Sequence, residues 1–502
     1  MERNSGQMKK IFRKFRKVKV LIIGLIVLVL VLVAVSLRIH DPEPYFKLQA
    51  YADMRAVEFE EVTIGDLSGD GGLVDPLLRC GFDRQEMVPG PEGGFPDGVP
   101  LAGYGERRGA AAEGVLDPVY ISCLSFDRGG VRWLFLGMDA LIVPRPVADR
   151  LMEYCVEEYQ IPPSHVFFSA SHTHSGPGGW AEGPIGEIFA GDYNPEVIEA
   201  WVELASRTID RSLSADLPVS GLRHFSFDGG QYIRNRLHGA DGLVYSAFEG
   251  VRIMRGGGKD VVIGVFGAHA TSIPAENLSF SGDYAGYWRR HVETNENIYA
   301  VFAGGGMGSQ TYRMPDGETL TVMDSVTAKA EYLGHALGAA TATAMKNAAI
   351  DEDMTLAGVH IDVALPSLQI RLNDHLILNP YISNRLLERP ETTFFKGMRI
   401  GRTIFIGMPA DYSGELVQEF TSRLTSTVPN DDGGQVERVS LRPVVTSFNG
   451  DYTGYVVPTR YFYYNAYESR VMSFYGYGMA GLCQYAMGRI YSGLSGGING
   501  AE

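Results

Sequence analysis

Residues 20–37 read Val-Leu-Ile-Ile-Gly-Leu-Ile-Val-Leu-Val-Leu-Val-Leu-Val-Ala-Val-Ser-Leu, without one ionisable side chain. No other stretch constrains the chain as strongly. A run of about 18 apolar residues is just long enough to cross a bilayer as a helix. Lys9, Lys10, Arg13, Lys14, Arg16, Lys17 and Lys19 precede it, and the positive-inside rule keeps such a cluster in the cytoplasm. The remainder of the chain is then expected outside, held at the cell membrane by a single pass. A cleaved signal peptide competes with this reading, because Ala34-Val-Ser36 offers small residues near the end of the run. Cleavage would leave a secreted protein. The run is longer than a usual signal core, which favours an anchor, and it carries no polar face that would mark a buried core helix.

The organisation expected from this is a basic cytoplasmic segment (1–19), a transmembrane anchor (20–37), a stalk (38–74) and one large domain (75–502). The chain carries a net charge of −15 and has no basic stripe beyond the N-terminal cluster, which argues against a nucleic-acid partner. Cys80, Cys123, Cys155 and Cys483 are widely spaced and form no CxxC pair, so thiolate metal ligation is not suggested. One or two disulfides remain open, with no connectivity readable. From Asp75 onward, apolar strand-like runs alternate with amphipathic helical patterns. Val131–Met138, Val261–Phe266, Ile298–Ala303 and Thr403–Met408 read as strands, and Val359–Leu372 suggests more. Val147–Gln160, Asn194–Ala215, Tyr284–Thr294, Met323–Ala349 and Ser413–Leu424 read as helices. The pattern predicts a layered α/β domain.

Polar residues fall at the ends of the strands. The run from His165 to Ala170 reads as a buried strand, and Ser171-His-Thr-His-Ser-Gly-Pro-Gly-Gly179 cannot continue it. His172 and His174 therefore sit where strand gives way to loop. His269 follows the Val261 strand, Asp411 the Thr403 strand, and Tyr452 and Tyr455 follow Leu441–Ser447. If these strands are parallel neighbours, their carboxyl ends converge on one face, where open α/β sheets carry their chemistry. Two histidines and a carboxylate suffice for a catalytic zinc with an open position, and such a metal activates water for hydrolysis. Gly304–Gly308 lacks the Lys-Ser/Thr of a phosphate-binding loop, so no nucleotide is expected.

These segments resemble the neutral ceramidases, zinc-dependent amidases that cut the N-acyl bond of ceramide. Ser171–Gly178 is similar to the family's GTHTHSGPGG signature. Phe266-Gly-Ala-His-Ala-Thr-Ser272 with Ser281-Gly-Asp283 resembles its HGTSM and SGD segments, and Asp451–Tyr455 with Tyr467-Glu468 its YxxY and YE stretch. Pro100–Gly105 and Asp117–Tyr120 are similar to its N-terminal motifs. The likeness runs from about Gly81 to about Gly481. It implies a layered catalytic domain of neutral ceramidase type, with Zn2+ held by His172, His269, Asp411 and Tyr455. His174, Arg236 and Tyr467 would then contact the substrate amide or its developing oxyanion. The implied activity is a zinc-dependent amidohydrolase that cleaves the N-acyl amide of a ceramide-like lipid by metal-activated water.

Four departures qualify that implication. Asp411 stands where the family has glutamate, and Leu237-His238 replaces Ser-Pro after Asn235-Arg236. Gly304 and Gly305 fall where the family carries its active-site serine. The chain also stops soon after Tyr467-Glu468, without the carboxyl-terminal β-sandwich. Alternatives are a catalytically inactive metal- or lipid-binding ectodomain, or a zinc hydrolase for another N-acyl substrate.

Overall fold

A computed structural model describes residues 2–57, 77–90, 94–314, 325–387, 390–424 and 441–495. Eight strands form the main sheet. They are β1 (Arg79–Glu86), β2 (Tyr120–Arg128), β3 (Val131–Met138), β4 (Val166–Ala170), β5 (Leu217–Asp228), β6 (Ala247–Arg255), β7 (Val261–Phe266) and β8 (Tyr299–Gly304). Their spatial order is β8-β7-β6-β5-β1-β2-β3-β4. The pairs β3–β4 and β7–β8 run parallel and the other pairs antiparallel. A second sheet holds β9 (Leu356–Ala364), β10 (Thr392–Ile400), β11 (Thr403–Gly407) and β12 (Arg442–Thr446) in that order. Its pair β11–β12 is parallel.

The helices are α1 (Glu2–Ser36), α2 (Gln49–Ala56), α3 (Arg145–Tyr159), α4 (Gly183–Ala190), α5 (Pro195–Ser214), α6 (Asp283–Glu296), α7 (Ala328–Asn347), α8 (Pro380–Leu386), α9 (Gly414–Leu424) and α10 (Met479–Leu494). Period-two alternation along the strands explains the layering. On β3, Leu134, Leu136 and Met138 join Leu151, Trp201, Trp288 and Leu333 in a core under α3, α5, α6 and α7. Trp133 and Phe135 point the other way and meet Met398, Ile400 and Phe405 of the second sheet. That sheet's outer face, with Ile404 and Ile406, is covered by residues of α2, α9 and α10. The order is helices, sheet, sheet, helices. Strands buried on both faces read as continuous apolar runs, as Val261–Phe266 does.

Most expected elements fall within a few residues of those observed. Val359–Leu372 forms one strand rather than several, ending at Ala364. The start of the expected helix Met323–Ala349 lies outside the described residues, and the helix runs from Ala328. Of the expected stalk, residues 58–74 lie outside the described residues. Leu37–Ile39 pairs antiparallel with Leu376–Leu378, and Leu48, Ala50 and Met54 are buried against the second sheet's helical layer. All four cysteines are free and buried.

Of the strands that end in candidate ligands, β11 and β12 are parallel neighbours, and the others are not. β4 and β7 are separated in the sheet order by five strands, and β11 belongs to the other sheet. Curling of the main sheet brings its edges together: Val301 of β8 packs so closely on Gly137 of β3 that a Cβ there would lie 2.3 Å from it. The loop after β12 straps the two edges. Ser447 N donates to Gly304 O at 2.9 Å, and Asn449 Nδ2 donates to Phe168 O.

Candidate metal centre

His172 directly follows β4 and has φ +62°. A left-handed backbone costs a non-glycine residue about 1–2 kcal/mol, so its surroundings must hold it there. Its Nδ1 donates to Leu141 O at 2.7 Å, and Phe448, also at φ +62°, stacks on the ring at 4.0 Å and 7°. The rest of the turn is pinned. Thr173 Oγ1 donates to Ser281 O at 2.6 Å, and Arg107 donates to His174 O and Ser175 Oγ. Gly178 passes so near Ala190 O that a Cβ would lie 2.3 Å away.

His269 follows β7, and its Nδ1 donates to Met307 O at 3.3 Å. With both Nδ1 atoms facing carbonyls, His172 and His269 direct Nε2 lone pairs at each other across 2.9 Å. His174 Nε2 is 3.4 Å from His172 Nε2. Asp411 Oδ2 lies 3.6 Å from His172 Nε2 and 4.0 Å from His269 Nε2. Asp411 is fully buried, and among the described residues its carboxylate oxygens meet no donor in full hydrogen-bond geometry, the Tyr455 phenol being its weak partner. Acceptors converging without a proton between them repel one another, and a buried carboxylate so weakly partnered is costly. A divalent cation removes both penalties. The donor set of imidazoles and carboxylate suits zinc, and the carbonyl partners on Nδ1 are the usual way a ligating imidazole is oriented.

Electrostatics follow burial. Desolvation holds His172 down to about 3 and His174 and His269 well below the usual imidazole range. All three are neutral and able to ligate. Desolvation lifts Asp411 to about 7, with Arg236 opposing. Asp411 and Tyr455 face each other in a short parallel pairing, Asp411–Tyr412 with Tyr455–Val456. Burial raises the Tyr455 phenol well above its ordinary range; Arg236 opposes and Asp411 adds to the rise. Arg236 Nη2 donates to Tyr455 Oη at 2.8 Å, and its Nε pairs with Glu468 at 2.9 Å.

A cavity of about 400 Å³ opens on this cluster. His172, His174, Asp411, Tyr455 and Tyr467 line one part; Leu141, Ile142, Trp180, Ile185, Phe189, Met472 and Phe474 give it apolar walls. Tyr467 is 44% exposed and meets the Tyr455 ring edge-on at 5.8 Å, which puts it at the rim. His172, His174, His269 and Asp411 therefore share one cluster, with Tyr455 and Arg236 beside it. Gly304 and Gly305 lie close by. A Cβ on Gly305 would lie 3.1 Å from the Phe266 carbonyl carbon, and Ser447 Oγ donates to Gly305 O at 2.7 Å.

Three contributors are not evident from the sequence. Phe448 shows no signal, since its stacking depends on a left-handed backbone. Glu468 stands in the YE motif, yet only the fold reveals that it pairs with Arg236. Asp283 of the SGD segment works at one remove: it accepts from Ser272 Oγ and from Ile273 N at 2.9 Å, fixing the loop after His269.

Helical layers outside two face-packed sheets, with a histidine-carboxylate cluster at the strand ends, define a layered α/β domain with a candidate metal centre. The architecture is that of the neutral ceramidases. The neutral ceramidase from Pseudomonas aeruginosa superposes with a TM-score of 0.67 at 18% identity, over 84% of this chain and 75% of that one. A ceramidase complexed with C2 gives 0.67 at 17%, over 83% and 75%. No family model and no curated protein sequence matches the chain.

Proposed function

We propose that this chain is a zinc-dependent amidohydrolase that cleaves the N-acyl amide of a ceramide-like lipid, tethered by α1 with residues 75–502 forming its extracytoplasmic catalytic domain. The observation that carries the reading is Asp411: a fully buried carboxylate that faces imidazole lone pairs and the Tyr455 phenol at the wall of an apolar pocket. His172, His269, Asp411 and Tyr455 would hold the metal. When bound, zinc supplies Lewis acidity toward the amide carbonyl and water that is acidic enough to react near neutral pH.

The protein groups divide the remaining work. Leu141, Ile142, Trp180 and Phe189 give an acyl chain a dry wall. Arg236, held by Glu468 and Tyr455, is a fixed cation beside the developing oxyanion, where preorganised charge lowers the barrier. Tyr467 offers a hydroxyl at the rim. His174 has Nδ1 buried without a partner and would carry a proton toward the leaving amine nitrogen. Crowding around Gly305 favours water over a side-chain nucleophile at that position.

The test is fatty-acid release from labelled ceramide by the detergent-solubilised full chain, with and without chelator, and after zinc is restored. Absence of bound zinc in the wild type would sink the proposal. Chelator-sensitive cleavage of a different N-acyl amide would keep the class and reject the substrate. The glycines at 304 and 305 support one second reading, an ectodomain that binds metal or lipid without catalysis. Retained zinc with no turnover across amide and ester panels is its signature.

A further inference from the structure

The end of α1 is built into the domain that follows it. Asn379 Nδ2 donates to Val35 O at 2.7 Å and Asn379 N to Ser36 O at 2.8 Å, capping the helix. Leu37–Ile39 then pairs at once with Leu376–Leu378. His40 is buried, stacked on Phe462 at 5.6 Å, with its Nε2 3.3 Å from Gln369 Oε1. From Ser36 to His40 the chain can span at most about 14 Å. The apolar stretch 20–36 of this helix is about 26 Å long, close to the thickness of a hydrocarbon core. A helix used at full length sets the surface around its end against the headgroups.

Among the polar residues of that surface stand exposed apolar and aromatic side chains. Ile39 is 81% exposed, Leu372 56%, Tyr381 77%, Tyr463 40% and Val471 57%. All lie on segments gathered at the helix end. Leu372 belongs to the Leu376–Leu378 hairpin, its N donating to Leu376 O at 2.9 Å. Tyr381 opens α8 two residues after the capping Asn379. Tyr463 meets His40 edge-on at 6.1 Å. Val471 follows Arg470, which is paired with Asp374 of the same hairpin at 2.5 Å, so that acid is neutralised there. Aromatic rings at the end of a membrane helix favour the headgroup level.

The same segments reach the pocket. Gln369 N donates to Phe474 O at 2.7 Å, and Arg371 donates to Phe462 O and Ser469 O. Phe474, Met472 and Tyr467 line the cavity. The path from buried His40 to the pocket wall is two contacts long.

We infer that the face formed by Ile39, Leu372, Tyr381, Tyr463 and Val471 rests in the headgroup layer of the bilayer that holds α1, so that the rim at Tyr467 stands against the outer leaflet. Lipid would then enter the pocket from the membrane plane. The inference rests on α1 remaining as an anchor. Its occupant is lipid because a domain joined to a membrane helix without a free linker cannot withdraw this face from the surface.

The test uses the full chain in phosphatidylcholine vesicles, with nitroxide labels on single introduced cysteines. The native cysteines are buried and do not compete for label. Y381C and V471C should show oxygen collision several-fold above that at V131C, relative to a water-soluble nickel complex; position 131 begins β3, at the end away from the His172 turn. L28C, inside α1, reports the anchor independently. Bilayer values at 28 with water-like values at 381 and 471 would overturn the inference and leave the anchor standing. Water-like values at all positions would overturn both.

Discussion

Two buried polar clusters share the His172–Ser175 turn and are wired in opposite ways. The first is closed. Asp283 accepts from Ser272, Ile273 N and Tyr284 N, and Asp117 accepts from Ser281, Gly282 N and Arg290. Thr173 joins it by donating to Ser281 O. The second is open. Among the described residues the Asp411 oxygens meet no donor in full hydrogen-bond geometry, with only the Tyr455 phenol as a weak partner, and its histidines present lone pairs to one another. A closed buried network specifies and holds the fold, whereas an open one is destabilising until something binds. Burial alone does not separate scaffold from site. Satisfaction does.

The largest effect expected from this contrast is loss of metal. His172→Ala or Asp411→Ala should weaken zinc binding and hydrolysis by more than about a hundredfold, because loss of an orienting outer partner alone costs 10–100-fold. Metal content after dialysis and fatty-acid release measure it. The metal-free Asp411→Asn chain should be no less stable than the metal-free parent, since a costly buried carboxylate is relieved. A clear loss of stability there would break the comparison.

Closing the other way, Asp283→Ala should cost about 2–4 kcal/mol in denaturant unfolding, because charge-assisted bonds are lost and buried donors are orphaned. Bound zinc should survive when the variant is assayed well below its midpoint.

His224 supplies a third case. It is buried, bonded to Thr403 at 2.7 Å and 3.6 Å from Asp351, and burial lowers it from 6.5 to about 4 despite the acid. Between those values the unfolded chain binds a proton that the native state does not. Its contribution is therefore present above pH 6.5 and is lost as pH falls toward 4, by up to about 3 kcal/mol. His224→Gln should flatten that slope in pH-dependent unfolding; an unchanged slope would remove His224 from the account.

The smallest effect belongs to Gly305. Gly305→Ser should cost about 1–3 kcal/mol by overpacking against the Phe266 carbonyl carbon 3.1 Å away, without raising turnover. A gain in rate would mean that water is not the nucleophile.

Much of the fold was legible because two covered sheets demand apolar runs. Val131–Met138 and Val261–Phe266 could be read to their last residue. The stacking of one sheet on the other was not legible, since Phe135 and Leu134 carry the same hydrophobic signal while facing different layers. At the site, the polar residue after each strand was visible, but what brings those ends together was not. Convergence depends on sheet curl, on Val301 against Gly137 and on the strap after β12, none of which leaves a local pattern. Phe448 and Glu468 act through partners remote in sequence.

The parallel pairing of Asp411 with Tyr455 has a consequence for how the length of such a chain can vary. Asp411 N reaches Gly454 O and Ser413 N reaches Val456 O, so two groups from separate segments are indexed to each other residue by residue. One residue added or removed between Met408 and Asp411, or between Ser447 and Tyr455, would move one partner and not the other, turning its side chain to the opposite face. Relatives that keep this chemistry should therefore hold both of these spacings fixed and vary in length elsewhere.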